Sequence, residues 1–173
     1  MVINSNGYLR EEVLEIYGRS SEIVLLDVKF SSTSLSESVC ASSDYPAQAK
    51  LAAKKSMEIF GPLSCEGAEA RSGVLYRHLV LPGMLEDTEA VLAFCSSLGE
   101  VSLSLMAQYH PSGEDPSSLP APLDRCLQEE EYLEAVALAG KHGIDELFFQ
   151  EPNCGELYLP DFAQKDPFSK ARD

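Results

Sequence analysis

An acid and a base stand two residues apart inside an apolar run, IVLLDVKF at 23–30. In a strand that spacing projects both side chains to one face, so Asp27 and Lys29 lie side by side. Burying both is costly unless they pair or meet a charged ligand. The first outcome is an ion pair that neutralises an interior. The second is a site for a small zwitterion, or an acid/base pair. Arg77 lies between Tyr76 and His78 in VLYRHLVL at 74–81. Its planar fork clamps a carboxylate, either a ligand's or a neighbouring side chain's. His78 alternates to the opposite face from Arg77 and reads as a packing histidine beneath a helix. His110 opens a long loop, where it can titrate or donate to a ligand. His142 falls at a helix end, where an imidazolium complements the dipole.

Other chemistries find little support. No serine sits in a GxSxG elbow, and no phosphate-cradling GxGxxG or GxxxxGK[ST] loop occurs. The five cysteines, at 40, 65, 95, 126 and 154, form no CxxC pair. Their odd number and wide spacing indicate reduced, structural thiols rather than a disulfide framework or a zinc site. The net charge of −15 disfavours nucleic acid and anionic membranes, which need basic patches; an acidic, solvated surface accounts for it. With 173 residues and 45% apolar content, the chain suits one domain with its own core. No apolar run has the length of a membrane span, and the first residues lack a secretory pattern, so the expectation is a cytoplasmic protein.

The elements that must position these residues alternate in hydrophobic period. Strands are expected at 2–3, 23–30, 74–81, 101–109 and 146–150. Between them, helical spacing joins Leu9, Val13, Ile16 and Tyr17, then Ala49, Ala52, Ala53, Met57 and Phe60. It continues through Val91, Leu92, Cys95 and Leu98, and through Leu133, Val136 and Ala137. Asp44-Tyr45-Pro46 reads as a helix start, because proline is tolerated in the first turn. Residues 31–43 read as a serine-rich loop, 64–72 as a polar connection, and 110–123 as a long loop of the kind that carries function. The resulting βαβαβαβαβ order predicts an α/β protein: a partial (half) TIM-type barrel of about five parallel strands with outer helices. Fewer strands than a closed barrel leave a sheet edge and an inner face uncovered. In such folds functional groups collect at the C-terminal strand ends. Asn4-Ser5-Asn6-Gly7, Asp27 and Lys29, Arg77, His110 and Gln150 all satisfy that placement.

NSNG at 4–7, LLDVKF at 25–30, YRHLVLPG at 76–83 and LMAQYH at 105–110 come in this order with helices between them. Together they resemble the second half of radical S-adenosylmethionine (radical SAM) enzymes related to the pyruvate formate-lyase activating enzyme. YRHLVLPG followed by Glu86-Asp87 is the most specific segment. The resemblance makes residues 1–150 the C-terminal part of a radical SAM partial barrel and leaves 151–173 as an irregular tail. It implies that Asp27 and Lys29 are the reactive pair near SAM and substrate, that Arg77 contacts SAM, and that His110 lies over its methionine end. Asn4 and Ser5 fall where the family's polar segment helps hold a monovalent cation, but they replace an Asp and a Thr.

The implied cofactors are SAM and, in the complete enzyme, a [4Fe–4S] cluster. The family's CxxxCxxC and GGE-type motifs do not occur in this chain. The expectation is therefore the C-terminal portion of a glycyl-radical activating enzyme, inactive alone. It would need a missing N-terminal half or partner subunit, and it would be prone to self-association through the open barrel edge. Two alternatives stand beside it. One is a degenerate, non-catalytic module that binds SAM or a partner. The other is an unrelated small α/β enzyme using Asp27 and Lys29 as an acid/base pair.

Overall fold

The computed structural model describes residues 1–111, 119–144 and 146–150; the tail expected at 151–173 lies outside the described residues. Strand β1 (Val2–Ser5) is followed by helix α1 (Glu11–Gly18), β2 (Ile23–Asp27), α2 (Thr33–Cys40) and α3 (Tyr45–Phe60). Then come β3 (Ser64–Glu66), β4 (Glu69–Leu79), α4 (Leu85–Ser96), β5 (Ser102–Met106), α5 (Glu129–Lys141) and β6 (Glu146–Phe149). Strands β1, β2, β4, β5 and β6 are parallel and adjacent in chain order. A strand order that never reverses has no switch point; it winds one way, as barrel strands do. The architecture is a partial barrel-like α/β fold, as the alternating periods predict.

Period-two alternation decides which residues meet the helices. Val24 and Leu26 of β2, Val74 and Tyr76 of β4, and Leu103 and Leu105 of β5 are fully buried in one core. Hydrogen bonds seal that layer: Tyr76 donates to Ala53 O of α3 at 2.9 Å, and Tyr132 of α5 donates to Leu105 O at 2.8 Å. Helix α3 presents Ala49, Ala52, Ala53 and Ser56 inward, small side chains at helical spacing that let it sit close to the sheet. Helix α4 turns Thr88, Val91, Leu92 and Cys95 inward. Residues 25, 27, 75 and 77 therefore point to the opposite, helix-free face. A satellite cluster of Phe30, Tyr45, Ala49, Leu81 and Leu123 forms where the chain leaves β2 and β4, and it holds the loops at that end.

Two expectations are corrected. Residues 31–43 are not a loop, because they contain α2. Ser32 caps this helix by accepting from Leu35 N at 3.2 Å, and Ser36 Oγ donates to Ser42 O at 2.7 Å. The serines that suggested a loop are satisfying helix termini. Residues 64–72 form the β3–β4 hairpin, with Gly67 at φ +62° in the turn. Every residue from Ser64 to Ser72 is exposed, so no hydrophobic alternation marks the hairpin in the sequence.

Candidate functional site

Register brings the charged residues together. Asp27 of β2 is level with Arg77 of β4. Asn4 of β1 is level with Leu25, on the same face as Asp27. Asp27 Oδ1 accepts from Arg77 Nε at 2.8 Å and lies 2.6 Å from Nη2. Asp27 Oδ2 accepts from Lys29 Nζ at 2.7 Å, and Arg77 Nη2 donates to Asn4 Oδ1 at 2.6 Å. The Asp27 side chain is only 11% exposed, against 22% for Arg77 and 37% for Lys29. The acid is thus the buried hub and the two cations are its accessible arms.

One carboxylate between two cations leaves a net single positive charge. Asp27 takes one N–H of the Lys29 ammonium, and Arg77 Nη1 has no hydrogen-bond partner among the described residues. Uncommitted donors on both cations suit an incoming carboxylate, which makes short, charge-assisted hydrogen bonds. The first sequence reading is met, since the internal ion pair forms, and it leaves donors over.

A backbone frame holds this cluster, and its keystone was not read from the sequence. The Tyr45 hydroxyl donates to Asn6 O at 2.8 Å and accepts from Lys29 N at 3.1 Å. Burial pushes that hydroxyl's pKa upward, so it stays a neutral donor. Gly7, at φ +83°, lets the loop after β1 close on β2, since a Cβ there would lie 2.1 Å from Asp27 O. The signal for Tyr45 was a first-turn tyrosine on an apolar helix face, whose buried hydroxyl must find partners.

The remaining candidates fall elsewhere. Ser5 Oγ accepts from Gly7 N at 3.1 Å. Asn4 and Ser5 each accept a hydrogen bond from an N–H donor, a different role from cation ligation. His110 is exposed and its Nδ1 donates to Pro111 O at 2.8 Å; among the described residues no hydrogen bond joins it to Asp27, Lys29 or Arg77. Gln150 Oε1 accepts from Ala107 N at 3.0 Å, tying the end of β6 to β5. His78 faces the helices. Its Nδ1 donates to Val28 O at 2.8 Å, which leaves Nε2 to accept from Thr88 Oγ1 at 3.0 Å. Burial lowers its pKa and keeps the ring neutral. His142, at the end of α5, has Nε2 3.4 Å from Glu89 Oε1.

A cleft of about 740 Å³ opens between α2 and the start of α4, lined by residues including Ser31, Ser32, Leu35, Met84 and Asp87. Asp87 shapes it by accepting from Ser31 N at 3.1 Å and from Ser32 N at 2.6 Å. Asp27, Lys29 and Arg77 are not part of its lining. The described cysteines do not fit an iron–sulfur cluster, which requires converging thiolates. Cys95 is buried in the core, with its thiol pushed up to about 12 by burial. Cys40, Cys65 and Cys126 are exposed on separate segments. Among the described residues no group of three His, Cys, Asp or Glu is placed to hold a metal ion, and no helix is long and apolar enough to cross a membrane.

The fold and the charged strand ends define a partial α/β barrel with a polar mouth. No protein-family model matches the sequence, and no curated protein matches it. In structure the chain is similar to a domain of the pyruvate-formate lyase-activating enzyme from Bacteroides vulgatus ATCC 8482. The TM-score is 0.58 at 12% sequence identity, over 86% of this chain and 80% of that one. At that identity the likeness is one of fold.

Proposed function

We propose that this chain is the C-terminal portion of a radical SAM enzyme of the glycyl-radical activating type, supplying SAM- and substrate-side residues. The observation that carries the reading is the Asn4–Asp27–Lys29–Arg77 cluster on the helix-free face of a sheet folded like an activating-enzyme domain. The chain contributes no cluster ligands of its own, since it has no CxxxCxxC and its described cysteines do not converge. The [4Fe–4S] cluster belongs to a partner half, and this chain alone does not turn over. Bound SAM would supply hydrogen-atom abstraction once that half is present.

The work of this chain is binding and orientation. Arg77 and Lys29 take the carboxylate of the methionyl end, Asp27 holds both cations in place, and Asn4 fixes the tilt of the guanidinium. His110, which bonds Pro111 O and not the cluster, would reach the methionyl end only on ligand binding, from the loop after β5. Residues 1–150 act as one unit in a cytoplasmic protein. The partner covers the helix-free face, where Val2 and Phe148 are 55% and 44% exposed. In its absence the β1 edge pairs with a second copy, and a strictly monomeric species in solution scattering would refute that pairing.

Calorimetric titration of the purified chain with SAM tests the reading. The wild-type chain binds, and Arg77→Ala binds at least tenfold more weakly, the loss of one charge-assisted contact of about 1.4 kcal/mol or more. Equal binding by both refutes the assignment. Anaerobic incubation with iron and sulfide gives no [4Fe–4S] absorbance, and formation of a stable cluster would overturn the division of labour. A non-catalytic binding module is the second reading, favoured by the engagement of both cations with Asp27. It predicts SAM binding that persists whether or not a cluster-bearing polypeptide is supplied, with no SAM cleavage in either case.

A further inference from the structure

We infer that Tyr45 is the positioning residue of this site, setting how Arg77 is presented to the carboxylate of an α-amino acid-type ligand; the inference rests on the binding reading above. Three backbone atoms, from two stretches of chain, meet at its hydroxyl. Asn6 O, two residues after Asn4, accepts at 2.8 Å. Lys29 N donates at 3.1 Å, and Asp27 O lies 3.3 Å away. Each of these atoms belongs to a segment that carries a side chain of the charged cluster.

The hydroxyl has little freedom to serve any other arrangement. A phenol has one proton to donate, here given to Asn6, and its lone pairs face Lys29 N. The ring is held edge-on by Phe30, with centroids 5.7 Å apart at 76°, and stacks on Tyr8 at 6.2 Å and 9°. Tyr8 in turn donates to Asp44 Oδ2 at 2.7 Å, one residue before Tyr45. The aromatic pair and the helix start therefore move together or not at all.

The consequence falls on Asn4. β1 is a four-residue edge strand, paired on one side by β2. Beyond Ser5 its path is set by the Tyr45–Asn6 hydrogen bond and by the approach of Gly7 to Asp27 O. If the hydroxyl is removed, the 4–7 loop loses that tether. Asn4 Oδ1 then shifts from Arg77 Nη2, and the guanidinium is left to Asp27 alone. Arg77 would keep its charge and lose its aim.

The test uses the full chain and a double-mutant cycle of Tyr45→Phe and Asn4→Ala, with thermal melts as a folding control. The first readout is SAM affinity; the second is hydrogen exchange at the Arg77 Nη2 protons, the donor to Asn4 Oδ1, followed by NMR without ligand. Each single variant should weaken SAM roughly fivefold to tenfold, the equivalent of one hydrogen bond. The double variant should bind no worse than the weaker single, because both changes break one link. The Arg77 Nη2 protons should exchange faster in all three, while the Nε–H keeps its Asp27 partner. Additive losses, or an Arg77 signal unchanged in Tyr45→Phe, would overturn the inference. If the wild-type chain binds no SAM, the proposed function falls, and the Arg77 exchange still decides the role of Tyr45. If Tyr45→Phe does not fold, 4-aminophenylalanine at position 45 keeps a donor toward Asn6 O. Wild-type exchange at Arg77 in that variant supports the inference, and fast exchange overturns it.

Discussion

Glu131 offers a quantitative test of how the loop end of the barrel is held. Its carboxylate accepts from Arg125 Nη1 at 2.7 Å and Nη2 at 2.8 Å, from Gly83 N at 2.7 Å and from Gln128 N at 3.0 Å. One side chain of α5 thus joins the segment before it to the turn after β4. These contacts, the Arg125 pair foremost, hold its carboxyl at about 2, against an ordinary 4.5. The difference corresponds to about 3 kcal/mol of stability at neutral pH, and roughly 2 kcal/mol after allowing for solvent around the half-exposed Arg125. A carboxyl lowered by folding stabilises above the unfolded value, and that contribution is lost as pH falls through the folded one. Glu131→Gln should therefore lower Tm by roughly 4–8 °C at pH 7. The gap should narrow below pH 4.5 and nearly close by pH 2. Thermal melts of both proteins followed by circular dichroism from pH 7 downward provide the assay. A gap that is absent at pH 7, or one that keeps its full size at pH 2.5, would refute the reasoning.

Three further outcomes follow from the same geometry. Asp87→Ala strands the amides of Ser31 and Ser32, costing about 1–3 kcal/mol, and hydrogen exchange should rise first at those two positions. Gly7→Ala puts a Cβ against Asp27 O in a left-handed backbone, so about 2 kcal/mol or more of stability and most SAM affinity should go together, read by melts and calorimetry. His78, lowered by burial, stabilises fully above its ordinary value of 6.5, and that stability is lost as pH falls below it. Its share of the pH slope, up to about 1.4 kcal/mol per pH unit, should be missing in His78→Gln when denaturant midpoints are compared between pH 6.5 and 5.

The sheet was legible in the sequence because its strands are buried against helices on one face and carry spaced charges on the other. Val24 and Leu26 alternate with Leu25 and Asp27, and Tyr76 and His78 with Leu75 and Arg77, so period and polarity pointed the same way. The pairing of Asp27 with Lys29 followed from that alternation. Strand-end placement put Asp27 and Arg77 at one mouth, but their direct pairing was not legible, because cross-strand register depends on how the intervening helices pack, and 50 residues separate the two. Helix α2 was hidden by serine, which favours turns until its hydroxyl is used as a cap. The β3–β4 hairpin was hidden by its exposure. Tyr45 was read only as part of a helix start: its place on an apolar helix face signals a buried hydroxyl, but its partners, the backbone atoms of Asn6 and Lys29, leave no pattern in sequence.

The central claim is that the cations at 29 and 77, steadied by Asp27, receive the ligand's carboxylate. NMR of the Arg77 guanidinium and the Lys29 ammonium during titration with SAM addresses it directly. Both groups should shift saturably, with one shared dissociation constant. Saturable binding that leaves them unmoved and shifts Met84 and Leu35 of the α2–α4 cleft instead would contradict the account.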